Sequence, residues 1–370
     1  MLFLQAISGR VAYFNVIQLR YITRTSVNRI KSVDVLRTLA IISVIAIHTT
    51  PFESVSAPMG RIFDVGLFIN QIARFAVPFF FVLSGYFWAF KFSDEKKSIE
   101  PTVQMTKRIA FIFIAWSAIY VLPMNIVDSF AYGPFQPLKL LYWNLINVVN
   151  KPLTTLMEGN TAHLWFLMSL LCSLLITATF LMLNLRRYLI AVAVILYGIG
   201  LAGKAYSDSP IGFHTDFNFR DGPFFSLIPF VTGYFLQRKG PADNWFLLGV
   251  VIAVVGAFIH FTELFILREF WGTTMKQDFV IGTYFFGVGV ALVALSNTKY
   301  LNFSVLASIG PLVLGIYVSH FVFVEMLTPL DRKFTGHWAW EISYVIAVFA
   351  LSYLMTLVLS KFRLTKRLVV

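Results

Sequence analysis

Charged residues are scarce in this sequence of 370 residues, since Asp, Glu, Lys and Arg together make up 13% of it. A soluble domain usually carries about 25% charged residues, so the composition argues against a soluble or a disordered protein. Cysteine is scarcer still, because Cys172 stands alone, which excludes an internal disulfide bond and a cysteine-rich metal site. Apolar residues, by contrast, make up 58% of the chain. The sequence therefore predicts an all-α, polytopic integral membrane protein.

Apolar runs long enough to cross a bilayer recur along the chain. A spanning helix needs about 20 apolar residues, and we predict ten such helices. The predicted spans are residues 33–48, 63–90, 109–127, 163–183, 188–202, 224–236, 245–265, 279–295, 312–327 and 342–359. Pro78 falls inside the second span, and proline removes a helical hydrogen bond and kinks the helix. We expect that span to be bent or broken.

Lysine and arginine favour alternate connections between these spans. If the N-terminus is cytoplasmic, most basic residues lie in the inner connections, which are also the shorter ones, as the positive-inside rule requires. We therefore predict that both termini are cytoplasmic and that three long loops, 128–162, 203–222 and 262–278, cover the outer face. The net charge of +12 then reflects membrane orientation, and we expect no nucleic-acid partner.

The start of the chain differs in composition from the rest. The first 33 residues mix apolar residues with arginine and contain no acid. An interfacial helix on anionic lipid and a partly disordered tail both fit this composition. No cleavage site follows a continuous apolar core, so we do not expect a signal peptide. We predict a basic N-terminal extension at residues 1–32 and a single membrane domain at 33–370.

The first span carries ionisable groups, which are costly inside a membrane. Arg37 and His48 are 11 residues apart, which at 100° per residue places them on one face, about 16 Å apart along the axis. Asp34 lies one turn before Arg37 and can hold its guanidinium group. The structural alternative is an arginine and a histidine that each reach an interface. Glu53 follows His48 in an arrangement similar to the H-x4-D pair of lipid acyltransferases, but Pro51 spoils the helical geometry.

The second span carries Arg74 about half-way along its length, where neither interface is within easy reach. Arg74 needs an anion, a cluster of carbonyl groups or water, and no acid in the same span is well placed. A structural ion pair with another segment is the alternative to a functional role. Ser84 and Gly85 follow Pro78, and such small residues allow another backbone to approach closely or the helix to unwind.

Four further polar residues lie in or at the ends of later spans. His163 opens the fourth span beside a tryptophan, and Tyr317, His320 and Glu325 belong to the ninth. A buried histidine bonded to a neighbouring helix, or an interfacial one, is the structural alternative to a substrate contact for these positions. No P-loop, Rossmann fingerprint, H-E-x-x-H motif or G-x-S-x-G elbow is present. The six histidines show no metal-ligand spacing, so no metal is expected.

Taken in order, these polar motifs resemble acyltransferase family 3, a family of integral membrane acyltransferases. The resemblance rests on DVLR at 34–37 followed by HTT at 48–50, RFAVPFFFVLSGY at 74–86, HLWFL at 163–167 and GIYVSH at 315–320. The histidine–threonine–threonine triplet looks most like the branch that includes the enterobacterial common antigen O-acetyltransferase. Many members carry an R-x-x-R pair before the proline of the second span, whereas this chain has Gln71 at the first of those positions. Arg74 is therefore the one arginine of that pair in this sequence.

The resemblance implies an enzyme of the bacterial inner membrane. It would move an acyl group, most often acetyl, from cytoplasmic acetyl-CoA or another acyl-CoA to a hydroxyl of an extracytoplasmic glycan or lipid-linked saccharide, such as lipopolysaccharide O-antigen or enterobacterial common antigen. Its partners would thus be membrane lipids, the acyl-CoA and the glycan. The alternatives are a non-enzymatic transporter and a subunit of a polysaccharide polymerase or flippase.

The resemblance also assigns roles to residues of this sequence. His48 would take the proton from the sugar hydroxyl, and Arg74 would stabilise the developing oxyanion. Arg37, Ser84 and Tyr86 would contact the acyl-CoA, with the arginine suited to its phosphates.

Overall fold

The structure is a computed structural model that describes residues 29–53 and 64–369. Most of the predicted N-terminal extension, residues 1–28, lies outside the described residues. Across the two described ranges the regular elements are α-helices and short 3-10 turns, with no β-strand. The predicted all-α fold class is therefore confirmed.

The helices follow one another with short connections. In chain order they are α1 (Lys31–Thr49), α2 (Val65–Ile72), α3 (Ala76–Ala89), α4 (Ile99–Ile119), α5 (Ile126–Phe130), α6 (Gln136–Asn150), α7 (Pro152–Glu158), α8 (Trp165–Met182), α9 (Leu189–Ala202), α10 (Pro223–Lys239), α11 (Trp245–Trp271), α12 (Ile281–Leu295), α13 (Ser304–Ile309), α14 (Val313–Phe334), α15 (Trp338–Lys361) and α16 (Lys366–Val369).

Six helical segments of the described chain are long and apolar enough to cross a membrane. They are Lys31–Thr49, Val65–Ala89, Ala162–Met182, Trp245–Trp271, Ser304–Phe334 and Trp338–Lys361, and the shorter apolar helix Ile281–Leu295 adds to them. The molecule is thus a multi-pass membrane protein. The count of ten spans and the cytoplasmic position of both termini remain predictions.

Two predicted spans have different ends in the structure. Helix α4 covers Ile99–Ile119, not 109–127, because its first turns carry polar residues that hydropathy alone excludes, and Pro123 stops it early. Helix α11 continues to Trp271, where Gly272 adopts a left-handed conformation with φ of 67° and ends the helix. The first ten residues of the predicted loop 262–278 are therefore helical.

The second span is interrupted, as predicted. A 3-10 turn at Ala73–Phe75 separates α2 from α3. Pro78 has no N–H to donate to the carbonyl of Arg74, four residues earlier, and its ring crowds that carbonyl. The interruption of the regular α-helix therefore falls at Arg74.

Helices α3 and α10 touch backbone to backbone. A Cβ atom on Gly85 would lie 2.0 Å from the carbonyl oxygen of Phe230, and one on Gly233 would lie 1.9 Å from the carbonyl oxygen of Val82. These two glycines therefore allow the close approach that the sequence suggested for Gly85. The contact fixes the wall of the bundle that α3 contributes.

We expect Gly85→Ala to lower the free energy of unfolding by about 1–3 kcal/mol, the usual cost of overpacking. The added methyl group would collide with a backbone carbonyl, which cannot swing away as a side chain can. Thermal unfolding of the purified protein in detergent measures the change. Gly198→Ala is the matched control, because a Cβ there meets nothing within 4 Å. Equal midpoints for the two variants would contradict the contact.

Polar side chains at the start of helix α1 form hydrogen bonds with residues in the C-terminal part of the chain. Ser32 donates to the carbonyl of Ala294 at 2.6 Å, and Thr38 donates to the carbonyl of Leu306 at 2.9 Å. Arg29, just before the helix, donates to the carbonyl of Ala307. These bonds pack the polar start of α1 against α12 and α13.

Candidate active site

A cavity of about 670 Å³ follows α1 from Arg37 to His48. Helices α3, α4, α8 and α14 complete its walls. Its middle is mostly apolar and aromatic, with residues that include Val77, Phe80, Leu83, Ser84, Phe87, Phe166 and Tyr317. One end is rich in cations, and the other contains histidines and a network of ion pairs.

His48 stands in the last turn of α1, at one end of the cavity. The helix stops there because Thr50 is left-handed, with φ of 45°, and Pro51 cannot continue it. The side chain is half-buried and lines the cavity. Its face of α1 also carries Arg37, as the spacing of 11 residues predicted.

Two other histidines lie against His48. The ring centroids of His48 and His320 are 5.3 Å apart, those of His48 and His163 are 6.4 Å apart, and those of His163 and His320 are 4.9 Å apart. His163 comes from the 3-10 turn before α8, and His320 from the middle of α14. Three distant segments therefore meet in what we call the histidine cluster, His48, His163 and His320.

Neighbouring residues contact only part of the histidine cluster. The Nδ1 atom of His320 lies 2.5 Å from the carbonyl oxygen of Tyr317, and the hydroxyl of Tyr317 donates to the carbonyl of His163. Phe321 stacks on His163 at 4.6 Å. Among the described residues, both ring nitrogens of His163 and Nε2 of His320 are buried without a hydrogen-bond partner. Such groups need water or a ligand, so the cluster is suited to receive a polar molecule.

Arg74 lies at the same end, in an ion-pair network. It binds Asp278, from the loop before α12, at 2.8 Å, and it donates to the side-chain oxygen of Asn70 at 3.0 and 3.2 Å. Lys204 at 3.1 Å and Arg220 at 3.9 Å also reach Asp278. The anion that Arg74 needs is thus supplied by another segment, and three cations share it.

Arg220 also binds two carboxylates other than Asp278. Its guanidinium group binds Glu158 at 2.8 Å and Asp221 at 3.2 Å, and it lies 4.7 Å above the ring of Trp165. Burial alone would raise the pKa of Asp278, yet the neighbouring cations hold that pKa well below its usual range. Asp278 is therefore ionised at any ordinary pH, and three cations share its charge.

The opposite end of the cavity has an excess of positive charge. Lys91, Arg108 and Arg37 line it together with Gln104. Partial burial and the charge of Arg108 lower the pKa of Lys91. Within the part of the chain that the structure describes, neither Lys91 nor Arg108 forms an ion pair. This end is suited to bind an anion with several charges.

Arg37 is only loosely held. Asp34 lies 3.7 Å away, too far for a hydrogen bond, and instead forms a 2.5 Å bond with Arg29. The guanidinium group of Arg37 lies 5.0 Å from the ring of Phe87. The predicted Asp34–Arg37 ion pair is therefore long. The guanidinium group of Arg37 can still form hydrogen bonds to a ligand in the cavity.

Of the other predicted site residues, some line the cavity and others lie outside its lining. Ser84 and Tyr317 line the cavity. Tyr86 was predicted to contact the donor, but it faces the opposite side of α3 and packs 6.5 Å from Trp245, because two residues along a helix turn the side chain by about 200°. Tyr86 is therefore outside the cavity lining, and its role towards the donor stays a prediction.

The two predicted glutamates lie away from the cavity lining. Glu53 binds Lys276 at 2.5 Å, which draws its carboxylate towards the loop before α12. Glu325 is half-buried on α14 and accepts a hydrogen bond from the backbone of Met124. These contacts account for both carboxylates as structural groups.

Sequence reasoning missed Asp278, Arg220, Lys91 and Arg108 as members of the site. Lys91, Arg108 and Arg220 entered the sequence analysis as basic residues that report orientation, and Asp278 entered it as the last residue of a predicted outer loop. The one available signal for Asp278 is its position directly before an apolar run. No group of three or more His, Cys, Asp or Glu residues with metal-binding geometry occurs among the residues described.

Comparison with known proteins agrees with this geometry. The family model described as an acyltransferase domain, that of acyltransferase family 3, matches residues 30–357. An amino-acid racemase of Enterococcus faecalis is 28% identical over 218 residues, 55% of this chain and 28% of that protein. A serine/alanine racemase of Enterococcus gallinarum is 25% identical over 250 residues, 62% of this chain and 33% of that protein. The chain thus spans about a third or less of these relatives, and no solved structure matches it.

Proposed function

The chain belongs to acyltransferase family 3 and is a membrane acyltransferase, and on this premise we propose that it moves an acyl group, first of all acetyl, from cytoplasmic acyl-CoA to a hydroxyl of an extracytoplasmic glycan. The observation that carries the proposal is the cavity that joins an unpaired cationic end to the histidine cluster. Because two thirds or more of each relative lies outside the match, its racemase name carries no proposal for this chain.

The cationic end is the proposed donor site. The phosphates of acyl-CoA carry several negative charges, and Arg37, Lys91 and Arg108 provide matching cations without competing acids beside the last two. Arginine binds phosphate through two parallel hydrogen bonds, and lysine binds it as a point charge. The apolar middle of the cavity is then left for the pantetheine arm and the thioester.

The histidine cluster is the proposed reaction site. A ring nitrogen of His48 takes the proton of the acceptor hydroxyl while the hydroxyl oxygen attacks the thioester carbonyl. The new ester bond forms as the carbon–sulfur bond breaks, and the sulfur leaves as the thiol of CoA after it receives a proton. Arg74 lines the same end of the cavity and stabilises the charge that develops on the carbonyl oxygen.

The decisive experiment follows the acyl group. The purified protein is placed in proteoliposomes with acetyl-CoA labelled in the acetyl group and a lipid-linked glycan fraction. We expect label in the glycan and none after base treatment, because an ester is hydrolysed by base. A transporter would move label across the membrane without forming the ester. If no acyl-CoA and no glycan fraction gives a labelled ester, the proposal is wrong.

We expect Arg108→Ala and Lys91→Ala each to weaken acyl-CoA binding about 10-fold or more, since a hydrogen bond to a charged group contributes about 1.5–3 kcal/mol. Arg37→Lys should act in the same direction, because the guanidinium fork is lost. Titration of the detergent-solubilised protein with a non-hydrolysable acyl-CoA gives the affinities. Lys97→Ala is the control, as an exposed lysine outside the cavity lining. Unchanged affinity in the first two variants would place the donor elsewhere.

A further inference from the structure

Helix α6 (Gln136–Asn150) exposes a stripe of large apolar side chains. Leu138 is 63% exposed, Tyr142 58%, Leu145 50% and Val149 76%. At 100° per residue these four positions fall within an arc of about 60°. A soluble surface would not tolerate such a stripe, because burying each side chain of this size is worth about 1.5–3 kcal/mol.

The rest of α6 divides into two further faces. Leu140, Asn144 and Val148 are half-buried against the protein, and the side-chain amide of Asn144 donates to the carbonyl of Val121 at 2.9 Å. This bond anchors α6 beside the end of α4. On the third side, Lys139 and Asn147 are exposed and polar, and Trp143, 58% exposed, lies between them. The helix thus has one face for the protein, one apolar face and a third face on which polar side chains flank a tryptophan.

The apolar stripe continues into neighbouring surfaces that belong to the membrane. Helix α5 connects α6 to α4, which contains part of the predicted third span, and exposes Val127 (82%) and Phe130 (57%). On the other side, α7 leads within a few residues to the span that starts at Ala162. Both ends of α6 are therefore held at a membrane boundary, and lipid is the surface that its apolar face would meet.

We propose that α6 is an interfacial helix that lies in the plane of the membrane, with Leu138, Tyr142, Leu145 and Val149 among the lipid chains and Lys139 and Asn147 in water. Tyr142, an aromatic residue on the stripe, favours this depth. Helix α7 ends at Glu158, which binds Arg220 at the histidine end of the cavity. The membrane surface that carries α6 is thus the one towards which the histidine cluster opens. This inference is independent of the proposed reaction.

Site-directed nitroxide labels test the placement. Single cysteines replace Tyr142 or Val149 on the apolar stripe, and Lys139 or Asn147 on the polar face, all in a Cys172→Ala background that removes the chain's own cysteine. Each labelled protein is reconstituted into vesicles of neutral and anionic phospholipid. Relaxation by oxygen, which concentrates in lipid, is compared with relaxation by a water-soluble nickel chelate. Size-exclusion profiles select the folded variants.

We expect the labels on the two faces to respond in opposite order to oxygen and to the nickel chelate. Labels at 142 and 149 should respond more to oxygen than to the nickel chelate, and labels at 139 and 147 should respond more to the chelate. Equal access of the chelate to all four labels would overturn the proposal. Spin–spin broadening at 142 and 149, at a strength expected for two copies in contact, would also overturn it, because a second copy and not lipid would then cover the stripe.

Discussion

Replacing His48 by alanine should lower the rate of acyl transfer by roughly 10²- to 10⁴-fold, the range that general-base catalysis contributes. His48 is the member of the histidine cluster on the face of α1 that also carries Arg37, and it is half-buried where the cavity ends. The variant keeps the helix, because alanine is a good helix former. Initial rates of ester formation from labelled acetyl-CoA measure the loss, at saturating concentrations of both substrates.

His214→Ala is the matched control for this experiment. The side chain of His214 is 75% exposed in the loop before α10, and its one acidic neighbour, Asp208, is also exposed. We expect normal transfer from this variant and normal acyl-CoA affinity from His48→Ala, since the donor phosphates bind at the far end of the cavity. A His48→Ala protein with near-normal turnover would remove the base from the proposed mechanism.

Asp278→Asn should produce the largest loss of stability among single substitutions at the site. The change leaves Arg74, Lys204 and Arg220 without their shared anion, and breaking a buried ion pair by removing one partner costs about 3–5 kcal/mol. Arg74 would also lose its fixed position, so transfer should fall with stability. Thermal unfolding in detergent and initial rates measure the two effects.

Two comparisons make the Asp278 prediction specific. Asp216→Asn, at an exposed site in the loop before α10, should change neither stability nor rate. Asp278→Glu keeps the charge and should recover part of the stability. Because the neighbouring cations hold the pKa of Asp278 below its usual range, its contribution is complete above the ordinary carboxyl pKa and is lost only as the pH falls through the lowered one. A stability difference that disappears at neutral pH would contradict the network.

Local sequence patterns predicted the parts of the molecule that depend on one helix. The R-x10-H spacing placed Arg37 and His48 on one face of α1, and Pro78 located the interruption of the second span. Both rest on helix geometry, which a single segment already determines. The apolar composition gave the fold class, and the family resemblance, confirmed by the match over residues 30–357, gave the general activity.

The remaining features depend on contacts between segments far apart in sequence. Asp278 binds Arg74 from 204 positions away, and nothing in the residues around either one specifies the other. Tyr86 stands in a matching motif, but its side of α3 places it against Trp245 and outside the cavity lining. Hydropathy also misplaced α4, whose charged first turns, with Arg108, form the cationic end of the cavity.

The bonds of α1 to the other end of the chain have a consequence for biosynthesis. Thr38 donates a hydrogen bond to the carbonyl of Leu306, which is synthesised 268 positions later. At typical rates of translation that interval is on the order of tens of seconds. During it α1 sits in the membrane with Asp34 and Arg37 not yet covered, since α13 and α14 have not emerged from the ribosome. Of the helices that the structure describes, α1 is thus the first to be synthesised and among the last to gain all its partners.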